Sequence, residues 1–275
     1  MIPRTWCARL RKVLLMIRLI DGQGAAPFLA FCEGNPYGVR IAAFLEAYGP
    51  GYPFALFWMQ ADGSGRMTAA VARVDGNVTV CAAEKADLEE LWVFLSAVGF
   101  ESILCPEWVA QRANQFSGCL FQRCIPMRLH RPCVPSAAQP AALCKAPPLP
   151  EVYALLQAAG EPLPCLEAWL PDVSHRVRHA AARVWAVREG AKWIACAMAV
   201  ALTRKEALLG GVAVLPEQRA KGIGSSLTLS LCGALLEEGK TVFLLRKEGL
   251  HESFYRRMGF EPFGPSALII TQKGV

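Results

Sequence analysis

The stretch from Leu208 to Gly233 constrains the fold of this 275-residue chain more than any other. It begins as an apolar, β-branched run, breaks at Pro216 and passes through the segment QRAKGIG at 218–224. It then continues with leucines at helical spacing. This order is typical of a strand, a glycine-containing turn and the N-terminus of a helix.

The turn in this stretch has the features of an anion site. The first amides of a helix lack internal partners and lie at the positive end of the helix dipole. Gly222 and Gly224 remove Cβ atoms that would hold a phosphate away from the backbone, and Arg219 and Lys221 add positive charge. A pyrophosphate is the expected ligand. The alternative interpretation is an ordinary strand-to-helix turn with solvated basic residues.

A second pattern follows downstream. Residues 241–245 read as a buried strand, and the segment HESFYRRMGFEPFG at 251–264 reads as a helix that Gly259 ends, followed by a strand. Together, R-x-x-G-x-G at 219–224 and F-Y-x-x-x-G-F at 254–260 resemble motifs A and B of the GNAT superfamily of acyl-CoA-dependent N-acyltransferases. The order, the spacing and the intervening strand all agree with this resemblance.

The composition favours a globular protein with a substantial core, since 53% of the residues are hydrophobic. The eleven cysteines are scattered through apolar segments without a C-x-x-C pair, so we expect a reducing cytoplasm and no metal site. An apolar run of 18 residues is absent, and we therefore expect no membrane span.

The order of predicted elements divides the chain into four parts. These are an N-terminal extension (1–15), a first half (16–125), a proline-rich linker (126–150) and a second half (151–275). Each half contains two helices, a strand meander, and then a helix and a strand. With the resemblance, this predicts an α+β fold of two GNAT-like domains in tandem, each a mixed, mostly antiparallel twisted sheet flanked by helices.

The first half has no glycine loop at the equivalent position. It reads CAAEKADLEEL there, and Asp87 is expected to cap a helix over Leu88–Val98. Its acidic residues would repel a pyrophosphate, so we interpret this half as a degenerate GNAT-like domain with a structural or substrate-shaping role.

The charge distribution agrees with this division. Residues 16–125 contain seven basic and eleven acidic groups, whereas residues 126–275 contain eighteen and twelve. The second half is therefore the one suited to a polyanionic cofactor. The excess is small and lacks interleaved aromatic residues, so we do not expect nucleic-acid binding.

The resemblance implies acetyl-CoA as the acyl donor and a small-molecule or peptide amine as the acceptor. It implies that the backbone of Val212 and Val214 binds the pantetheine arm and that the glycine loop binds the pyrophosphate. The expected cofactor-binding residues are Val212, Val214, Arg219, Ala220, Lys221, Gly222, Ile223, Gly224 and Ser225.

Tyr255 matches the tyrosine of motif B, whose phenol donates a hydrogen bond, and then a proton, to the departing sulfur. We therefore predict Tyr255 as the catalytic residue. The alternative is a half-buried core aromatic on a helix.

The sequence does not identify the group that removes the proton from the amine. Glu206 and Glu217 flank the strand before the loop, and relay through ordered water is an equal alternative. Many relatives carry an asparagine where this chain has Glu248, which is either an anchor for a cationic acceptor or a solvated surface group.

A further polar cluster lies in the predicted helix around 166–179. Asp172, His175 and His179 either face one cleft, where they would shuttle protons or bind the acceptor, or lie on the polar face of a surface helix.

The runner-up function is a non-catalytic acyl-CoA-binding or interaction module in which Tyr255 is structural. Binding of tRNA or ribosomal material through the basic half is a weaker third alternative. The chain is compatible with a monomer or a homodimer.

Overall fold

The computed structural model describes residues 17–22, 24–111, 119–129 and 142–271. The predicted extension at 1–15 lies outside these residues. The chain forms two compact units. The first unit contains residues 1–124 and 265–275, and the second unit contains residues 125–264.

The first unit is built from helices and strands in the predicted order. Its strands are β1 (Ile17–Leu19), β2 (Ala55–Ala61), β3 (Met67–Val74), β4 (Asn77–Ala82), β5 (Ser102–Pro106), the first part of β6 (Cys119–Leu129) and the final strand β13 (Ser266–Thr271). Its helices are α1 (Ala25–Phe31), α2 (Pro36–Tyr48), α3 (Leu88–Val98) and the short α4 (Glu107–Ala110).

The sheet of the first unit has the order β1-β2-β3-β4-β5-β13-β6. All described neighbours in it are antiparallel except β4 and β5, which are parallel and are joined by α3. Leu91 and Leu95 of α3 are fully buried against Val80 and Ile103 of the sheet. The helix over Leu88–Val98 and its Asp87 cap are therefore confirmed.

The second unit repeats this plan. Its strands are β7 (Leu143–Cys144), β8 (Arg183–Glu189), β9 (Lys192–Leu202), β10 (Glu206–Val214), β11 (Thr241–Lys247) and β12 (Phe260–Pro262), with the end of β6. Its helices are α5 (Leu149–Ala158), α6 (Leu166–Arg178), α7 (Ile223–Glu237) and the short α8 (Glu252–Arg257).

The strand order in the second unit is β11-β10-β9-β8-β7, and β12 pairs with the end of β6. The pairs are antiparallel except β10 and β11, which α7 connects. Leu227, Leu231 and Leu235 form the buried face of α7, as their helical spacing predicts. The predicted mixed, mostly antiparallel sheet flanked by helices is thus present in both units.

The structure differs from the predicted division at both ends of the second half. Residues 126–129 belong to β6 rather than to a linker, and the Pro126 carbonyl accepts a hydrogen bond from the Phe263 amide at 2.7 Å. Most of the predicted linker, 130–141, lies outside the described residues. The last strand belongs to the first unit because Ser266–Thr271 pairs with β5 and with β6 there.

Within the described ranges, none of the helices is both long and apolar enough to cross a membrane.

Candidate functional site

The candidate site of the second unit starts where β10 and β11 diverge. The two strands pair in parallel over Glu206–Leu209, and among the described residues no pairing between them continues beyond that point. A register shift against β9 between Gly210 and Ala213 accompanies a positive φ of 55° at Gly211. The positive φ favours glycine at this bulge, and a Cβ on Gly211 would also lie 2.9 Å from the sulfur of Met198. The backbone groups at the end of β10 are therefore not paired with β11, and this part of β10 forms an open strand edge.

The loop after β10 delivers the N-terminus of α7 next to this edge. Gly222 is the N-cap of α7 and has a left-handed backbone, with φ 78°. No side chain caps the helix, and its first turn contains no acidic residue. The first hydrogen bond of the helix runs from the Ser226 amide to the Gly222 carbonyl, so the preceding amides have no intrahelical acceptor. Uncapped amides of this kind are the groups to which the predicted pyrophosphate would bind.

The two glycines of this loop have different roles. A Cβ on Gly222 would meet no atom within 4 Å, so glycine is favoured there by the positive φ alone. A Cβ on Gly224 would instead lie 3.0 Å from Cγ2 of Val214. Gly224 therefore allows α7 to approach the end of β10 closely.

The two basic residues of the loop are engaged by the protein. Arg219 donates from Nε to the Val214 carbonyl at 3.0 Å and from Nη2 to the Ala159 carbonyl at 2.8 Å. Lys221 donates to Oε1 of Gln218 at 2.8 Å. Arg219 thus connects the end of β10 with the end of α5. The sequence predicted Arg219 beside a phosphate and did not predict these two hydrogen bonds.

A cavity of about 640 Å³ joins the strand edge, the helix N-terminus and motif B. It contains all the predicted site residues except Lys221. The lining residues are Ala159, Glu161, Val212, Ala213, Val214, Gln218, Arg219, Ala220, Gly222, Ile223, Gly224, Ser225, His251, Phe254, Tyr255 and Arg257.

Tyr255 enters this cavity from α8. Its ring packs edge-on against Phe254 and Phe260, with centroids 5.0 Å and 5.8 Å away. Its hydroxyl has no hydrogen-bond partner among the described residues. Burial, and secondarily the negative charge of Glu161, raise the pKa of the Tyr255 phenol to about 12. The phenol is therefore protonated at neutral pH and available as a hydrogen-bond donor.

The carboxylates predicted as base candidates do not line the cavity. Glu206 is buried at the start of β10. Glu217 accepts from Nζ of Lys192 at 2.6 Å, and this bond lowers the pKa of its carboxyl group. Glu248 also lies outside the lining. Glu161, which the sequence reading missed, is the one carboxylate among the described residues that line the cavity.

The polar cluster of α6 is a separate feature. His175 and His179 stack with ring centroids 4.0 Å apart, and Nδ1 of His179 lies 2.8 Å from the His175 carbonyl. Asp172 is paired with Arg176, whose Nε lies 2.9 Å from Oδ1 of Asp172. None of these side chains lines the cavity. Across the described residues, no group of three or more His, Cys, Asp or Glu is placed to hold a metal ion.

In the corresponding crossover of the first unit, side chains form hydrogen bonds at the start of helix α3. Asp87 accepts from the Glu90 amide at 3.0 Å and so caps α3. Gln60, on β2, accepts from the Asp87 amide at 3.0 Å and donates to the Asp87 carbonyl at 2.9 Å and to Oε2 of Glu90 at 2.7 Å. Thr68 donates to Gln60 at 2.9 Å.

Comparison with known proteins agrees with this geometry. Residues 180–262 match the model of the acetyltransferase (GNAT) domain. No curated protein matches the chain by sequence.

Solved structures resemble the chain over most of its length. A GCN5-related N-acetyltransferase from Sphaerobacter thermophilus has 18% identity and a TM-score of 0.59, covering 92% of this chain and 94% of its own. A GNAT-family acetyltransferase from Colwellia psychrerythraea has 13% identity and a TM-score of 0.55, covering 93% and 98%.

A tandem GNAT protein from the clavulanic acid biosynthesis pathway has 15% identity and a TM-score of 0.57, covering 92% and 97%. Residues 180–262 therefore match the acetyltransferase (GNAT) domain model, and the chain shares its fold with solved tandem GNAT proteins.

Proposed function

We propose that the second unit is an acyl-CoA-dependent N-acyltransferase that moves an acetyl group from acetyl-CoA to an amine. The observation that carries this proposal is the shared cavity, in which uncapped helix amides, an open strand edge and a protonated phenol lie together. The amides of α7 suit the pyrophosphate, and the backbone of Val212 and Val214 suits the amide-rich pantetheine arm.

The reaction proceeds by direct attack. The amine nitrogen forms a bond to the thioester carbonyl carbon, the carbon–sulfur bond breaks, and its electron pair leaves on sulfur. The amine loses one proton, because an alkylamine with a pKa near 10.4 is protonated at neutral pH. Tyr255 donates a hydrogen bond to the sulfur as charge develops there, which favours the leaving group.

The first unit has a structural or substrate-shaping role in this proposal, because its equivalent helix N-terminus is occupied by Asp87. We place the protein in the cytoplasm, with a small-molecule or peptide amine as the acceptor.

The second candidate function is a non-catalytic acyl-CoA-binding or interaction module. The packing of Tyr255 against Phe254 and Phe260 favours it, since a structural aromatic residue has the same surroundings.

Replacement of the phenol separates the two functions. Tyr255→Phe is expected to lower the turnover of acetyl transfer about 100-fold while leaving the affinity for acetyl-CoA unchanged. Tyr52→Phe, at an exposed tyrosine of the first unit, is the matched control and should match the wild type. Equal turnover in Tyr255→Phe, or no transfer by the wild type to any amine, would favour the binding module.

A further inference from the structure

The lining of the cavity contains groups of opposite electrostatic character. It combines the uncapped amides at the start of α7 with one carboxylate, Glu161, and with the phenol of Tyr255. The Glu161 carboxylate has no hydrogen bond or ion pair with any described residue. Several other carboxylates of this unit are paired, such as Glu217 with Lys192 and Glu238 with Arg183.

The backbone of Glu161 is fixed although its side chain is exposed. Gly160, with φ 87°, follows the C-cap of α5, and its amide donates to the Gln157 carbonyl at 3.0 Å. The Glu161 amide donates to the Leu156 carbonyl at 3.0 Å. These two bonds form a Schellman motif, which terminates the helix in one defined geometry.

Contacts on both sides of Glu161 add to this rigidity. Arg219 holds the Ala159 carbonyl at 2.8 Å on the preceding side. On the following side, the Tyr153 hydroxyl donates to the Pro164 carbonyl at 2.9 Å, and Pro162 restricts the chain. The loop therefore presents the Glu161 carboxylate from a fixed position.

We propose that Glu161 is the binding site for the ammonium group of a cationic acceptor amine, held beside the phenol of Tyr255. This inference rests on the proposed function and deepens it, since it selects aliphatic amines over neutral aromatic amines. A carboxylate that lines the cavity without a partner from the protein attracts a cation and repels a second anion. The polyanionic donor is therefore directed to the helix end and the acceptor to Glu161.

The electrostatic effect of Glu161 on the phenol supports this placement, because its charge contributes to the raised pKa of Tyr255.

The first test is a spectrophotometric titration of the phenol that needs no substrate. The Tyr255 signal is the difference between each protein and its Tyr255→Phe partner. Glu161→Gln should shift this titration to lower pH, whereas Glu167→Gln, at an exposed carboxylate of α6 outside the cavity, should not. An unchanged titration in Glu161→Gln would overturn the proposed placement.

The second test measures binding of n-butylammonium to the full chain by NMR titration, with and without CoA. Glu161→Gln should weaken binding about tenfold, as loss of a charged hydrogen bond does, and Glu167→Gln should bind as the wild type. Equal affinities in wild type and Glu161→Gln, or no binding by the wild type, would refute the inference. Failure of the proposed acyltransferase function would be recognised separately, as an absence of acetyl-CoA binding.

Discussion

The two parallel crossovers of this protein, β4-α3-β5 in the first unit and β10-α7-β11 in the second, have the same topology and opposite chemistry at the start of the helix. Helix α3 begins with a carboxylate cap, Asp87, and has acidic residues in its first turn. Helix α7 begins with Gly222, has no side-chain cap and has no acidic residue in its first turn. Asp87 therefore caps the Glu90 amide at the start of α3, whereas no side chain caps the start of α7.

The comparison explains why we propose the anion site at α7, because the N-terminus of this helix lacks a side-chain cap. The amides of both helices lie at the positive end of a dipole. In the first unit, Asp87 caps the Glu90 amide, and the buried side chain of Gln60 bonds to the backbone of Asp87, which stabilises the fold. In the second unit, we propose that a bound anion takes the place of the side-chain cap.

The largest effect is expected when the second crossover is made to resemble the first. Gly222→Glu places a carboxylate at the N-cap, where it competes with the pyrophosphate for the amides, so we expect acetyl-CoA affinity to fall at least about 100-fold. Equilibrium dialysis with labelled acetyl-CoA measures this.

A matched control exists at the other end of the same helix. Gly239 has φ 76°, against 78° for Gly222, and a Cβ at either position meets no atom within 4 Å. Gly239→Glu therefore adds the same side chain under the same backbone strain. A comparable loss of affinity in both variants would mean that strain, rather than charge at the N-terminus, is responsible.

Disrupting the hydrogen bonds of Gln60 in the first unit should lower the free energy of unfolding and leave the affinity for acetyl-CoA unchanged. Gln60→Leu removes the acceptor of the Asp87 amide and the 2.7 Å bond from Gln60 to the buried Glu90 carboxylate. We therefore expect a loss of about 2–3 kcal/mol in the free energy of unfolding. Urea denaturation measures the loss. Acetyl-CoA affinity should stay unchanged, and a parallel decrease would contradict the separation of roles.

A smaller effect is expected from the close contact between α7 and β10. Gly224→Ala places a methyl group 3.0 Å from Val214, so the helix must move away, and we expect acetyl-CoA affinity to fall about tenfold. Val214→Ala in the same chain should restore part of it. A double-mutant cycle of dissociation constants measures this, and the absence of coupling would rule out the steric explanation.

Removal of the cap in the first unit should have a modest effect. Asp87→Ala loses the 3.0 Å bond to the Glu90 amide, so we expect a loss of about 1 kcal/mol in unfolding free energy. Thermal denaturation measures this. Gain of a second acetyl-CoA site in Asp87→Ala would show that the cap alone excludes the ligand from the first unit.

The smallest effect is expected from alkaline pH. The phenol of Tyr255 loses its proton as pH rises through its raised pKa of about 12, so the acid form persists at pH 10. An unshifted tyrosine, with a pKa near 10, would be half ionised there. Turnover under saturating substrates should therefore not decrease between pH 8 and 10. A decrease that Tyr255→Phe abolishes would contradict the raised pKa.

The sequence predicts the local elements well where periodicity and capping agree. The helix over Leu88–Val98 and the strand over Met67–Val74 have the predicted bounds, because Asp87 and the turn at 75–76 define their ends. The final strand of the first unit was missed, because pairing of Ser266–Thr271 with strands more than 140 residues earlier leaves no local signal.

The candidate site shows the same limit. Motif spacing predicts the glycine loop and the position of Tyr255, because each belongs to a short continuous stretch of sequence. The engagement of Arg219 with Ala159 and the position of Glu161 depend on how α5 packs beside β10, which no local pattern encodes. The sequence A-G-E-P at 159–162 nevertheless indicates a glycine-terminated helix followed by a rigid turn, and it was the available clue to Glu161.

Isothermal titration of acetyl-CoA into the wild-type protein and into Gly222→Glu tests the central claim most directly. We predict one site per chain in the wild type and none in the variant. Two sites in the wild type, or one site that persists in Gly222→Glu, would contradict it, because the ligand would then bind away from the N-terminus of α7.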